Sequence, residues 1–289
     1  MVPISRCKKF LKREEFKKKE ISKRGVQFTL PSKRKRKIIA VCGKGGAGKT
    51  AITAMMAGTL RKMSDKSRML LIDADPAGGL AFAMGVEVKK TVGEVREEII
   101  AKARKKDPQI KEQLANAIDY YILETLVERE GFGLLAMGRG ESVGCFCPVN
   151  SLLREAVEAL ADSYDRIIID GEAGIEQIMR QVMREVDTLI VVSDLSARGL
   201  NTASLIKELV EGKGVLSHPK LLLVINRCSD KSAADNASQK LGMKLAGVVP
   251  EDPTVSARDM GSAPLCDMPM DAPAMKAVAE IVEILFPKL

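Results

Sequence analysis

Apolar residues gather along the chain into short, nearly unbroken runs that end in polar or glycine positions, at 38–42, 69–72, 134–137, 167–169, 188–192 and 221–225. Runs this short, rich in Ile, Val and Leu, predict strands buried on both faces. Between them the pattern changes to helical spacing. Leu152, Leu153, Ala156, Val157 and Leu160 share one helix face, and Leu205, Ile206, Leu209 and Val210 share another. A last helix is predicted over about 272–285, with Met275, Val278, Ala279, Val282 and Leu285 on its apolar side. Strands alternating with helices imply βαβ units, hence an α/β fold with a mostly parallel twisted sheet and helices on both faces. No internal repeat is visible. The one composition boundary falls near 31–37, which divides the chain into an N-terminal arm, 1–35, and a single domain, 36–289.

The first run leads into Gly43-Lys44-Gly45-Gly46-Ala47-Gly48-Lys49-Thr50, which matches the phosphate-loop pattern G-x-x-x-x-G-K-[ST]. A helical stretch at 52–63 follows, as that motif requires. Glycines let successive backbone N–H groups turn inward as an anion nest, and the helix adds its positive end. Lys49 is placed for the β- and γ-phosphates and Thr50 for Mg2+.

The second lysine of the loop, Lys44, makes K-G-G-x-G-K-T, which resembles the deviant Walker motif of the superclass containing the nitrogenase iron protein and the septum-site and chromosome-partitioning ATPases. The resemblance implies a P-loop NTPase fold and a homodimer, in which Lys44 reaches the partner's ATP like an arginine finger supplied in trans. ATP would hold the subunits together and its hydrolysis to ADP would loosen them. Two acidic segments fit the same likeness. Leu70-Leu71-Ile72-Asp73-Ala74-Asp75-Pro76 corresponds to switch I, with Asp75 orienting the attacking water and Asp73 supporting Mg2+. Ile167-Ile168-Ile169-Asp170-Gly171-Glu172-Ala173-Gly174 corresponds to the second Walker motif and switch II, with Asp170 on Mg2+ through water. Lys44, Lys49 and Asp75 are thus the expected catalytic set. Asn226, Arg227, Pro250, Glu251 and Asp252 follow later strands where the superclass holds adenine, and the Asn226 amide offers both a donor and an acceptor to a base edge. Ala51 departs from relatives that carry a hydroxyl beside the α-phosphate.

A further element runs Met137-Gly138-Arg139-Gly140-Glu141-Ser142-Val143-Gly144-Cys145-Phe146-Cys147-Pro148. In an extended segment, residues two apart point the same way, roughly 6–7 Å apart at Cα. Cys145 and Cys147 could therefore share one soft or borderline ion, or they could be two packed thiols. They make only half of a four-ligand set, and a second copy across a two-fold axis would complete it. The order K-G-G-x-G-K-T, D-A-D-P, M-G-R-G-E-x-x-G-C-x-C and D-x-E-A-G-I-E resembles the accessory ATPases of the CooC type, from about Arg36 to the C-terminus. That likeness implies Ni2+ or Zn2+ held at the dimer interface by Cys145 and Cys147 of both subunits. ATP hydrolysis would accompany nickel insertion into carbon monoxide dehydrogenase or the related acetyl-CoA synthase. Two rivals stand beside it: a partitioning or positioning ATPase on DNA or membrane, and an iron–sulfur electron-transfer ATPase. The second rival lacks the switch II cysteine its design needs.

Composition adds three points. The 289 residues are 46% hydrophobic and 29% charged, enough for a sizeable core. No apolar run nears the roughly 20 residues of a membrane span, and the charged N-terminus has no secretory h-region, so a cytoplasmic protein is expected. Of the charge, fifteen Lys and Arg against three Glu lie in residues 1–37, leaving thirty-one basic and thirty-five acidic residues elsewhere. The arm reads first as a solvated extension or an upstream start; nucleic acid, anionic lipid or an acidic partner are the alternatives its charge permits. Cys7, Cys42, Cys228 and Cys266 are scattered without a disulfide pattern, and His218, the sole histidine, supports no metal or triad site.

Overall fold

The structure, a computed structural model, describes residues 36–63, 67–103, 108–139, 147–172, 182, 183, 185–212 and 219–287. The arm expected at 1–35 lies outside the described residues, and the compact unit treated below is Arg36–Leu289. Among the described residues eight strands make one sheet: β1 (Lys37–Gly43), β2 (Met69–Asp73), β3 (Leu126–Arg129), β4 (Phe132–Ala136), β5 (Arg166–Asp170), β6 (Thr188–Ser193), β7 (Lys220–Asn226) and β8 (Lys244–Val249). Their spatial order is β3-β4-β2-β5-β1-β6-β7-β8, parallel throughout except for the antiparallel pair β3 and β4. Among the described residues the α-helices are α1 (Lys49–Met63), α2 (Gly79–Ala83), α3 (Val92–Ala103), α4 (Pro108–Thr125), α5 (Cys147–Ala161), α6 (Ala197–Gly212), α7 (Lys231–Leu241), α8 (Pro253–Met260) and α9 (Pro273–Leu285).

The six apolar runs become β1, β2, β4, β5, β6 and β7. Their unbroken hydrophobicity has a simple cause, since alternate residues of a central strand enter different cores. Ile38, Ala40 and Cys42 of β1 join Val95 of α3, Ile122 of α4, Val157 of α5 and Ile206 of α6. Ile39 and Val41 face the opposite way and join Ile52 and Met56 of α1 with Met275 and Val278 of α9. The sheet is therefore the middle of three layers, and neither of its central faces meets water. The expected α/β fold with helices on both faces is the one observed.

Parallel pairing aligns the strand ends that carry chemistry. Asp73 stands in register with Asp170, Val41 with Asp170, and Gly43 with Val192. β1 lies between β5 and β6, so the connections leaving β1 and β6 diverge at that point. In open α/β sheets such a divergence leaves a crevice beyond the carboxyl ends of the strands, where ligands bind.

Candidate functional site

The loop leaving β1 is held by contacts that only glycine permits. Gly43 has φ +138°, and a Cβ there would lie 2.0 Å from the Val192 carbonyl oxygen of β6. Gly48 has φ +92°, and a Cβ there would lie 2.2 Å from Asn226 Nδ2. Inside the loop, Ala47 N–H donates to the Lys44 carbonyl at 3.1 Å, and the same carbonyl receives Lys49 Nζ at 3.3 Å. α1 begins at Lys49, so its first N–H groups and its positive end open onto the loop.

Thr50 and Thr53, on the first two turns of α1, both reach Asp170 at the end of β5. Thr50 Oγ1 donates to Oδ2 at 2.7 Å and Thr53 Oγ1 to Oδ1 at 3.2 Å. Asp73 takes the adjacent position on β2, where it accepts from Leu80 N–H at 2.9 Å and Asp75 N–H at 3.2 Å. Two fully buried carboxylates side by side are costly as anions. Burial, aided by the charge of Asp73, pushes Asp170 up to about 7, against the pull of the threonine hydroxyls and Lys49. Burial likewise pushes Asp73 up to about 6, with the Asp75 charge adding a smaller push. Asp75 itself is half-buried at the start of a turn, its Oδ1 accepting from Ala77 N–H at 2.8 Å.

Lys44 turns away from this cluster. Its ammonium pairs with Asp194 at 3.0 Å and lies 3.3 Å from the Ser196 hydroxyl, in the connection between β6 and α6. Ser196 donates its backbone N–H to Asp194 Oδ1 at 3.1 Å and its hydroxyl to the same oxygen. Those Ser196 bonds first, and Lys44 with them, hold Asp194 below the usual carboxylate range. Asp194, Ser196 and Thr53 escape a sequence reading: the first two meet Lys44 only because β6 lies beside β1, about 150 residues on.

The residues expected around adenine do meet at one edge, since Asn226 of β7 is in register with Val249 of β8 and Cys228 N–H donates to Val249 O at 3.1 Å. Their side chains divide the work differently than expected. Asn226 is 8% exposed and donates to the Ala47 carbonyl at 2.7 Å. Asp252 caps α8 by accepting from Thr254 N–H at 2.9 Å, and its other oxygen accepts from Ala274 N–H at 3.1 Å. Both Asp252 oxygens are thus committed to the fold, joining β8 to α9. Arg227 is exposed with φ +55°, Glu251 is exposed, and Pro250 is half-buried. Ala51 packs against the core shared by α1 and α9.

The Cys-x-Cys segment is described at its two ends. Met137 N–H donates to the Asp73 carbonyl at 2.8 Å, and Gly93 N–H at the head of α3 donates to the Met137 carbonyl at 2.8 Å. At the other end, Asn150 of α5 accepts from Arg96 Nε at 2.8 Å. Cys145 lies outside the described residues, as does the side chain of Cys147. The backbone of Cys147 opens α5, so the second cysteine starts a helix instead of continuing the extended stretch its spacing suggested. Pro148 favours that start, because its fixed φ and missing N–H suit the first helical turn. Among the described residues no group of three or more His, Cys, Asp or Glu is disposed to hold a metal ion, and Cys42, Cys228 and Cys266 are free and buried. Cys7, His218, and Ala173 and Gly174 of the switch II motif also lie outside the described residues.

Similarity to known proteins agrees with this geometry. The family model described as AAA domain matches residues 36–214. An uncharacterised ATP-binding protein of Methanocaldococcus jannaschii is 37% identical over 253 residues, which cover 87% of this chain and 99% of the relative. The carbon monoxide dehydrogenase accessory protein CooC of Rhodospirillum rubrum is 31% identical over 247 residues, covering 80% of this chain and 89% of CooC. Among solved structures, the septum site-determining protein MinD of Pyrococcus horikoshii complexed with Mg-ADP is similar with a TM-score of 0.64 at 22% identity, over 87% of this chain and 96% of that one. A ParA family ATPase of Chlorobium tepidum gives a TM-score of 0.63 at 18% identity, over 86% and 98%. At these identities the two structures speak to the fold: a MinD- and ParA-like arrangement of sheet and helices.

Proposed function

Because the chain belongs to the AAA domain family of P-loop ATPases, we propose that it hydrolyses ATP at the loop 43–50 and serves as a homodimeric maturation factor. It handles nickel or zinc for a carbon monoxide dehydrogenase or an acetyl-CoA synthase. The observation that carries the nucleotide half is the oxygen cluster of Thr50, Asp170 and Asp73 beside the glycine loop, with Thr50 bonded to Asp170 at 2.7 Å. A hydroxyl and two carboxylates are the hard ligands that Mg2+ takes when phosphates complete its shell. Held there, Mg2+ would neutralise phosphate charge. The N–H groups of Gly45, Gly46 and Gly48, with the head of α1, receive the β- and γ-phosphates, and Lys49 exchanges the Lys44 carbonyl for phosphate oxygen. Asp75 orients the water that adds to the γ-phosphorus as its bond to the bridging oxygen breaks. Lys44 leaves Asp194 to meet the developing charge on the partner's nucleotide.

The metal half rests on the 31% identity to CooC and on the M-G-R-G-E-x-x-G-C-x-C segment. Two thiolates from each of two chains make a four-ligand set around a two-fold axis. The segment begins one hydrogen bond from Asp73, which supports a link between nucleotide state and metal handling.

A positioning ATPase is the second reading, favoured by the basic residues of the arm. Its membrane form is poorly supported, because the apolar side of α9 is consumed by the core: Met275, Val278, Ile281, Val282 and Leu285 are all buried. The deciding experiment supplies Ni2+, ATP and the protein to apo carbon monoxide dehydrogenase and follows enzyme activation and phosphate release. Activation should require ATP, and Asp75→Asn should abolish both signals while nucleotide still binds. Phosphate release without activation, together with salt-sensitive retention of duplex DNA on filters, would replace the proposal by the second reading.

A further inference from the structure

The glycine loop poses a problem that its own sequence does not solve. A phosphate nest needs the Gly48 N–H to face the anion, but a peptide next to glycine can rotate as a plane until its carbonyl faces that way instead. Glycine tolerates either state, since no Cβ penalises φ of either sign. The same residue that permits the nest therefore leaves it free to invert.

Asn226 removes that freedom from the opposite side. The peptide unit is planar and trans, so the Ala47 carbonyl and the Gly48 N–H point in opposite directions; no cis peptide occurs among the described residues. Asn226 Nδ2 binds the Ala47 oxygen at 2.7 Å in a buried contact, which turns the Gly48 N–H away from β7. Among the described residues nothing accepts from that N–H. The amide can come this close only because position 48 has no Cβ, which would sit 2.2 Å from Nδ2. Asn226 is itself fixed as the last residue of β7, paired with β8, so the contact is made from a rigid element.

We infer that Asn226 is a positioning residue for phosphate binding, holding the Ala47–Gly48 peptide in its anion-receptive orientation whatever base the nucleotide carries. The inference rests on the nucleotide reading of the loop and assigns Asn226 a task besides the base contact expected of it. The test uses a ligand with no base: Mg-tripolyphosphate, measured by displacement of a fluorescent ATP analogue from the full-length protein, beside ATP itself. Asn226→Ala and Asn226→Leu remove the donor without adding charge. Both should weaken tripolyphosphate and ATP by the same factor, roughly tenfold for one buried hydrogen bond left unmade. Variants that lose ATP affinity but keep the wild-type affinity for tripolyphosphate would overturn the inference and return Asn226 to base recognition alone. A wild-type protein that binds neither ligand would defeat the nucleotide reading instead. Should the variants fail to fold, through-bond NMR coupling between Asn226 Nδ2 and the Ala47 carbonyl carbon in the wild type decides the matter. It should persist when tripolyphosphate binds, and its disappearance would overturn the inference.

Discussion

Asp170 and Asp73 end neighbouring strands in register, and their shared burial sets a pH dependence that can be worked out in sign. Both carboxyls are raised in the folded chain, Asp170 to about 7 and Asp73 to about 6. A raised acid binds its proton more tightly folded than unfolded. Its contribution to stability is therefore complete below about pH 4 and is lost as pH rises through about 6 to 7. Mg2+ requires the ionised forms, so its affinity should move the opposite way. Binding of Mg-ADP should be weaker at pH 5.5 than at pH 7.5, by about 25-fold from Asp170 alone. It should also release protons near pH 6.5, seen in calorimetry as a heat that depends on the buffer's ionisation enthalpy. Binding with no proton release at that pH would show that these carboxylates are not where Mg2+ acts. At this scale the legible residues were those with local spacing: the phosphate loop, D-A-D-P, and Asp170 at the end of its strand. Asn226 reaches Ala47 across 179 positions and Lys44 reaches Asp194 across 150, and no spacing rule anticipates contacts that arise only from strand order.

Elements were legible in proportion to how completely they are buried. Strands with both faces in the core announce themselves as apolar runs, and all six expected ones formed. β3 did not, because Leu-Val-Glu-Arg is half-buried at best on the sheet edge and follows directly from α4. α7 is silent for a related reason: only Ala234 and Ala237 of its residues are buried, so no apolar stripe marks it. α9 is the opposite case: Met275, Val278, Val282 and Leu285 of its predicted face are buried, and Ala279 is half-buried. Ile281, which the predicted face did not include, is fully buried beside them and joins the core that β1 and α1 share. Ile281→Ala should lower stability by about 2–5 kcal/mol in chemical denaturation and leave the affinity for Mg-ADP unchanged in the folded protein. A loss below about 0.5 kcal/mol, the range of surface substitutions, would mean that α9 is not seated as described.

The whole molecule combines an acidic-leaning ATPase body with fifteen of its basic residues in the first thirty-seven positions. Among the described residues no helix is long and apolar enough to cross a membrane. The same description leaves each chain with half of what its proposed work needs: one signature lysine paired with its own Asp194, and one pair of cysteines where a closed metal site takes four ligands. In the proposed homodimer a second copy would supply both halves at once. The most direct test is metal content and mass measured together, by titrating Ni2+ into the ADP-bound wild type, Cys145→Ser and Cys147→Ser, with thiolate-to-nickel charge-transfer absorption as the readout. The account predicts one nickel per two chains and a dimeric mass for the wild type. Either serine variant should lose the absorption while retaining ATP turnover. Serine variants that bind nickel as the wild type does, or a chain that stays monomeric with metal and every nucleotide state, would contradict it.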